Sequence, residues 1–527
     1  MNPRRWLFVF LGLLTVLRLA YVGMVELSPD EAYYYLWSER LDWAYFSKGP
    51  GVAATIWLGT WLFGAGEFGV RFFSPLLALG TSGLIFVLAR RLYGERVGVW
   101  SVLMINVVPI FTAGSLLMTI DPLSIFFWAA ALVTCWLALE KSPALSWWWP
   151  LTGVLVGLGF LCKYTNAMEL LSILLLLACT PSHRAELKRP GFYLMLLAFL
   201  PFTLPPLLWN AEHDWVTVGH LSQRGGLERA FALRPSEFGK FVGAHFGAYS
   251  PLLFGGMIAG VVWAFPLARE RFRERFLLAF TLPLWGLYLW LSLKKAGEAN
   301  WTAPAMVSLG ILATALWHER AMVSRKAARF AGAALGLGLM MSVLVLNTDL
   351  VRSFGIPWAY RRDPSTRLRG WHGAAREMER IRAVQEEQTG QRLFLIAGSY
   401  GTASELAFYL EDKRVEGPSH PPVYFTESQH VENQFSFWPR YDEFQIAPQG
   451  EGRELRDELF KEEEGFNPFH GRSALYIADR IDRGVPSSIS NGFEKVELVA
   501  QVEQERRGLR LRQWRVYLCT NYRGVEL

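Results

Sequence analysis

Thr119-Ile-Asp-Pro-Leu-Ser-Ile-Phe-Phe-Trp-Ala-Ala-Ala-Leu-Val-Thr-Cys-Trp-Leu-Ala-Leu139 carries one charged side chain, Asp121, at its start and none afterwards until Glu140. A helix needs about 20 mostly apolar residues to cross the hydrocarbon core of a bilayer. The run therefore reads as a membrane crossing with a carboxylate at its mouth. Comparable stretches lie on either side of it, near 6–25, 73–92, 97–117, 148–162, 166–180, 191–209, 251–267, 276–293, 301–317 and 330–347. Together with 119–139 they predict about eleven transmembrane helices, several of them short or interrupted by proline. Residues 50–64 are closely flanked by charge and read as an interfacial helix. The apolar stretch after Arg4 and Arg5 has no small-residue cleavage site behind it and reads as a retained first helix.

Composition points the same way. Of 527 residues, 52% are hydrophobic and 19% charged, against roughly 25% charged in average soluble domains. A disordered, collagenous or disulfide-stapled chain is excluded. The four cysteines, Cys135, Cys162, Cys179 and Cys519, make no framework, and no Cys/His spacing suggests a zinc finger. The net charge of +6 lies between apolar segments, so it argues for membrane orientation and against a nucleic-acid partner.

Lys and Arg in alternate short loops set that orientation. Arg4 and Arg5, Arg90, Arg91 and Arg96, Lys141, Arg184 to Arg189, Arg269 to Arg275 and Arg320 to Arg329 fall on one side, which should be cytoplasmic. The other side receives two long loops, 26–72 and 210–250. Residues 1–347 thus read as a multi-spanning domain. Residues 348–527, richer in charge, read as a soluble extracytoplasmic α/β domain. There Arg392 to Ala397 forms a strand, Gly398-Ser-Tyr-Gly401 a turn and Thr402 to Leu410 a helix, with further strands at 474–478 and 514–519.

Ionisable residues without a loop-charge explanation collect on the outer side. They are Asp30 and Glu31 in Ser28-Pro-Asp-Glu-Ala-Tyr-Tyr-Tyr35, Lys48 in Phe46-Ser-Lys-Gly-Pro50, Asp121, Lys163, His213, Asp214, His220, Arg224, Lys294, Lys295 and Glu298, with the polar Asn300 beside them. Charge near the membrane is costly, so such residues face a pocket by default. Each also has a plain structural role open to it. Asp30 suits a helix N-cap, as does Asp121 before Pro122. Lys48 and Lys163 could snorkel, the histidines could be structural, and Tyr33 to Tyr35 suit an interfacial belt.

No Walker loop, G-x-S-x-G or H-E-x-x-H is present. Outside the cytoplasm a group-transfer enzyme needs a donor that is itself in the membrane, and a polyprenyl-phosphate sugar fits. Its leaving phosphate is already stable as an anion. One carboxylate must take the acceptor proton, and cations must hold the phosphate. On this reading Asp30 is the base, and Lys48, Lys163 and Arg224 are phosphate ligands. The competing classes are a transporter or flippase and a non-catalytic lipid-binding scaffold.

The motif around Asp30-Glu31 resembles the acidic motif in the first outer loop of GT-C glycosyltransferases. The resemblance is to protein O-mannosyltransferases and to the aminoarabinose transferases that modify lipid A. Phe46 to Pro50, Gly64-Ala-Gly-Glu-Phe-Gly-Val-Arg71, Asp121-Pro122, Gly159-Phe-Leu-Cys-Lys-Tyr164, His213 to Val216 and Ala403 to Leu410 are similar to bacterial members. The resemblance implies a polytopic GT-C fold in a bacterial inner membrane, with its active site facing the periplasm. It implies a polyprenyl-phosphate-linked sugar donor and a glycolipid, polysaccharide or protein acceptor. It assigns Asp30, Glu31 and Asp121 to catalysis and Lys48, Lys163, Tyr34, His220 and Arg224 to substrate. Aminoarabinose transferases carry Glu before the lysine matching Lys48 and use it with a His to hold zinc. Here that residue is Ser47, so His220 would be the remnant of such a site and a divalent-cation requirement stays open.

Overall fold

Each of the eleven apolar stretches falls on a helix, or on two in succession, in the computed structural model of the protein, which describes residues 3–228, 232–356, 358–426, 430–442, 467–479 and 484–524. They are not all single full-length crossings. Six described helices are long and apolar enough to span a bilayer: Arg4–Val22, Glu67–Tyr93, Ile120–Lys141, Pro190–Glu212, Ala299–Val323 and Arg325–Leu346. Two bent pairs would bring the count to eight if each is one broken span. Pro235–Ala248 turns 112° into Pro251–Leu267, and Phe272–Ala279 turns 42° into Leu282–Ser292. The stretch 97–117 breaks because Val108, ahead of Pro109, is extended (φ −81°, ψ 123°), as the residue before a proline tends to be. Helix Trp148–Cys162 has 15 residues, or about 22 Å at 1.5 Å per residue, short of a core roughly 30 Å thick.

Contacts divide the chain into two units, one of residues 1–24 and 37–356, the other of 25–36 and 357–527. Residues 25–36, expected to stay with the membrane domain, thus belong to the C-terminal unit.

The first unit is a helical bundle whose core gathers Trp128, Leu132, Trp149, Leu176, Phe276 and Leu312. The loops rich in Lys and Arg meet at one end of it. Arg4 pairs with Glu95 at 2.9 Å and Arg91 with Glu140 at 2.7 Å. Arg273 pairs with Glu274 at 3.2 Å and donates to Leu92 O at 3.2 Å. Glu169, in helix Met168–Ala178, is fully buried, and neither carboxylate oxygen has a partner among the described residues.

The second unit contains a five-stranded sheet in the order β2-β1-β3-β5-β4. β1 (Phe394–Ala397) lies parallel to β2 (Tyr424–Phe425) and to β3 (Ala474–Ala478). β5 (Leu509–Tyr522) runs antiparallel to β3 and forms a hairpin with β4 (Phe493–Arg506). Its two turn residues, Arg507 and Gly508, both have positive φ (52° and 70°), as a hairpin turn matched to strand twist requires. Helix Tyr400–Tyr409 follows β1.

Segment 25–36 is tied into this unit. Glu26 accepts from the N–H groups of Trp371 and His372 at 2.7 and 3.2 Å. It thereby caps helix Trp371–Thr389, whose own N-cap is Gly370. Leu27 N donates to Tyr409 Oη at 2.6 Å. A Cβ on Gly401 would stand 3.0 Å from Pro29 Cβ, so the glycine in the first turn of helix Tyr400–Tyr409 lets this segment pack closely.

Candidate functional site

Lys48 ends a tight turn in the first unit. Tyr45 N donates to Lys48 O at 2.9 Å, and Lys48 N donates back to Tyr45 O at 3.3 Å. The next residues lie directly on the end of helix Trp148–Cys162. A Cβ on Gly49 would stand 2.3 Å from Leu161 O, and one on Gly51 would stand 2.5 Å from Cys162 Sγ. Two glycines thus seat the Lys48 turn beside the chain that carries Lys163. Helix Val216–Gly225 closes on the same turn: Thr217 Oγ1 donates to Tyr45 O at 3.4 Å, and the His220 ring centre lies 4.5 Å from that of Phe46.

Partial burial, with the nearby cations Lys48, Arg224 and Lys295, pushes the His220 imidazole down to about 4 from an ordinary 6.5. Burial is the larger cause, and the three cations add to it in the same direction. Arg224 also lies over the Trp301 ring, 5.5 Å from its centroid, in cation–π range. The chemistry such a cluster calls for is a bound anion.

Asp121 is not the cap of its helix. Thr119 holds that position and accepts from Asp121 N at 3.4 Å, which leaves the Asp121 carboxylate in the first turn, free to bond elsewhere. It receives Lys163 Nζ at 2.7 Å on one oxygen and Asn300 Nδ2 at 2.7 Å on the other. Lys163 Nζ also donates to Asn300 O at 3.2 Å. Lys163 is buried in this ion pair, so its ammonium is committed to Asp121 and does not snorkel to headgroups. The turn bearing Asn300 is itself held. His245 Nε2 lies 2.7 Å from Thr302 Oγ1, and Tyr249 Oη donates to Ala299 O at 3.2 Å.

Asp30 and Glu31 lie in the second unit, in helix Pro29–Ser38, and are differently employed. Ser28 takes the capping role. Glu31 N donates to Ser28 Oγ at 3.4 Å, while Glu31 Oε2 accepts from Ser28 N and Oγ at 3.0 Å each. This reciprocal pair is a capping box, and it accounts for the fully buried Glu31 structurally. Asp30 is left in the first turn, 38% exposed at its side chain. Its carboxylate pairs with Arg367 at 3.1 Å and accepts from Tyr400 Oη at 3.2 Å. The tyrosine run is packing rather than a belt: Tyr33, Tyr34 and Tyr35 are all buried. The Tyr33 ring stacks on Phe435 at 6.0 Å, and Tyr35 meets Phe408 edge-on at 4.9 Å.

The first unit therefore joins Lys48, His220 and Arg224 in one cluster and Asp121 with Lys163 in another. Arg367 and Tyr400 were not anticipated as partners of Asp30. Tyr400 lies in the quoted Gly398–Gly401 stretch, where it opens helix Tyr400–Tyr409, whereas nothing local to Arg367 marks it. Among the described residues no group of three or more His, Cys, Asp or Glu could hold a metal ion.

Residues 47–209 match the family described as dolichyl-phosphate-mannose-protein mannosyltransferase. The lipid A galacturonosyltransferase RgtD of Rhizobium johnstonii is 28% identical over 60% of this chain and 66% of its own length. The undecaprenyl phosphate-alpha-4-amino-4-deoxy-L-arabinose arabinosyl transferase of Edwardsiella ictaluri is 28% identical over 62% of each chain. The match thus spans slightly less than two thirds of these relatives. Crystal structures of ArnT from Cupriavidus metallidurans, apo and bound to undecaprenyl phosphate, share the fold. They superpose with TM-scores of 0.62 and 0.61 at 16% identity, over 97–98% of this chain and 98% of theirs. In sequence and in fold alike, the chain resembles the GT-C polyprenyl-phosphate-sugar glycosyltransferases of the aminoarabinose transferase group.

Proposed function

We propose that the protein transfers a sugar, with inversion, from a polyprenyl-phosphate carrier to a lipid A-type glycolipid at the periplasmic face of a bacterial inner membrane. The observation that carries this reading is the gathering of three cations: helix Val216–Gly225 brings His220 and Arg224 onto the Lys48 turn, and Lys295 packs against Gly226 at the end of that helix. It has the charge needed to hold a phosphate as it becomes a leaving group. Similarity to a lipid A galacturonosyltransferase and to a fold neighbour that binds undecaprenyl phosphate supports the donor and acceptor classes.

In the proposed reaction the Asp30 carboxylate takes the proton of the acceptor hydroxyl, and the oxygen attacks the anomeric carbon from the face opposite the phosphate. The carbon–oxygen bond to the phosphate breaks and its electron pair leaves with the phosphate. That phosphate needs no general acid because cations already stabilise it. Asp121, fixed by Lys163 and Asn300, orients the donor sugar. Residues 348–527, outside the membrane, shape acceptor access and carry no separate catalytic activity.

The test is the purified protein in nanodiscs with an undecaprenyl-phosphate-linked sugar and a lipid A acceptor, with products read by mass spectrometry. Formation of the β product from an α donor, or the reverse, supports the reading. Retention of anomeric configuration, or no transfer with any such donor, overturns it.

A further inference from the structure

The second unit contains a cavity of about 530 Å³, a size that suits a small polar headgroup. Four arginines line it, Arg361, Arg362, Arg367 and Arg512, against two acidic residues, Asp363 and Asp479. The balance is positive, and the arginines are not equivalent. Arg512 is structural: it donates to Thr366 O at 2.6 Å and Arg369 O at 3.2 Å and lies over the Trp371 ring, 4.1 Å from its centroid. Asp363 accepts from Ser365 N at 2.9 Å. These bonds fix the 360–368 turns that carry the other three arginines. Arg361 and Arg362 are exposed, and among the described residues neither side chain has an ion-pair or hydrogen-bond partner. Arg367 stands at the cavity wall and also bonds Asp30.

A rigid turn offering two uncommitted guanidinium groups into a polar cavity is suited to a phosphate, whose oxygens accept several such donors at once. We propose that this cavity binds a phosphate-bearing sugar headgroup of the acceptor, held by Arg361 and Arg362, with Arg367 linking the bound anion to Asp30. The assignment of that headgroup to an acceptor rests on the sugar-transfer reading above.

The test uses the full chain in nanodiscs of phosphatidylcholine. The probes are a phosphorylated glucosamine disaccharide and the same disaccharide without phosphate, with binding measured by calorimetry. The phosphorylated probe should bind at least tenfold more tightly. The double variant Arg361→Ala/Arg362→Ala should lose about tenfold or more for that probe only, and Arg361→Lys/Arg362→Lys should recover part of it. Undecaprenyl phosphate affinity and the thermal midpoint should not change. Equal binding of the two disaccharides, or wild-type affinity in the folded alanine variant, overturns the site. So does equal displacement of the probe by phosphatidylglycerol added to the nanodiscs, which would mark a general lipid contact. Transfer activity is assayed separately. Probe binding through these arginines in a protein that transfers no sugar would leave the cavity assigned and remove the acceptor role.

Discussion

Asp30 is the residue on which the proposed chemistry turns, and its surroundings make the decisive substitution clean. Its ion pair with Arg367 joins two substantially exposed side chains, and exposed pairs contribute about 0–1 kcal/mol. Ser28, not Asp30, caps the helix. Asp30→Asn should therefore leave the melting temperature within a degree or two and donor binding unchanged. Turnover should fall by roughly 10²–10⁴-fold for want of a general base. Near wild-type turnover would remove Asp30 from the mechanism. His220 gives a second, independent handle. Its folded-state value of about 4 lies below the ordinary 6.5. Stability from this group is therefore present above pH 6.5 and is lost as the pH falls towards 4. A bound phosphodiester donor, anionic throughout this range, would relieve the cationic repulsion and raise the imidazole's value. Donor affinity should rise as the pH falls from 7 towards 5, with proton uptake seen in calorimetry, and His220→Ala should flatten the profile. At this scale legibility depended on distance along the chain. Asp30, Lys48 and Arg224 show themselves by charge beside apolar segments. Arg367 lies 337 residues from Asp30, and no local pattern links the two. Lys163 was visible as a charge at a boundary, but its commitment to Asp121 depends on a contact between separate helices.

Helices were the most legible elements because apolar runs at membrane length admit few alternatives. The break at Val107-Val108 lies between apolar residues, so only Pro109 marks it in the sequence. The β-strands divide by burial. β1 and β3 are buried at every position and read as compact apolar runs. β4, Phe-Glu-Lys-Val-Glu-Leu-Val-Ala-Gln-Val-Glu-Gln-Glu-Arg, buries two of its 14 residues and has the composition of a solvated segment. Long cross-strand pairing with β5 holds it, not its own hydrophobicity. Glu169 is an exception within the helices, a carboxyl with no described partner in an otherwise apolar element. An unsatisfied buried polar group costs about 1–3 kcal/mol. Glu169→Met should therefore raise the thermal midpoint in detergent while leaving transfer intact. A lower midpoint would mean that the carboxyl is engaged by something outside the chain.

For the whole molecule, the charge pattern predicts which loops share a side, and the ion pairs Arg4–Glu95 and Arg91–Glu140 join loops from that set. Orientation follows if these loops are cytoplasmic. In a background with the exposed Cys179 replaced by Ser, Arg269→Cys should resist a membrane-impermeant thiol reagent applied from outside, and Glu411→Cys should react. The opposite pattern would invert the protein in the membrane and end the periplasmic assignment. The composition change near residue 348 was visible in the sequence, but the return of residues 25–36 to the C-terminal unit was not. Nothing in Pro29 to Leu36 distinguishes a membrane-proximal helix from one that packs against Tyr400, Phe408 and Phe435. That discontinuity constrains biosynthesis. The segment holding Asp30 is made early, yet Arg367 is translated 337 residues later. At about 5–20 residues per second the delay is on the order of half a minute. The ring partners of Tyr33 and Tyr35 in the C-terminal unit, Tyr400, Phe408 and Phe435, come later still. A ribosome stalled before residue 400 would leave the aromatic face of Tyr33 and Tyr35 for the bilayer surface or a chaperone to shelter, and the later-made C-terminal unit would decide when the first loop settles.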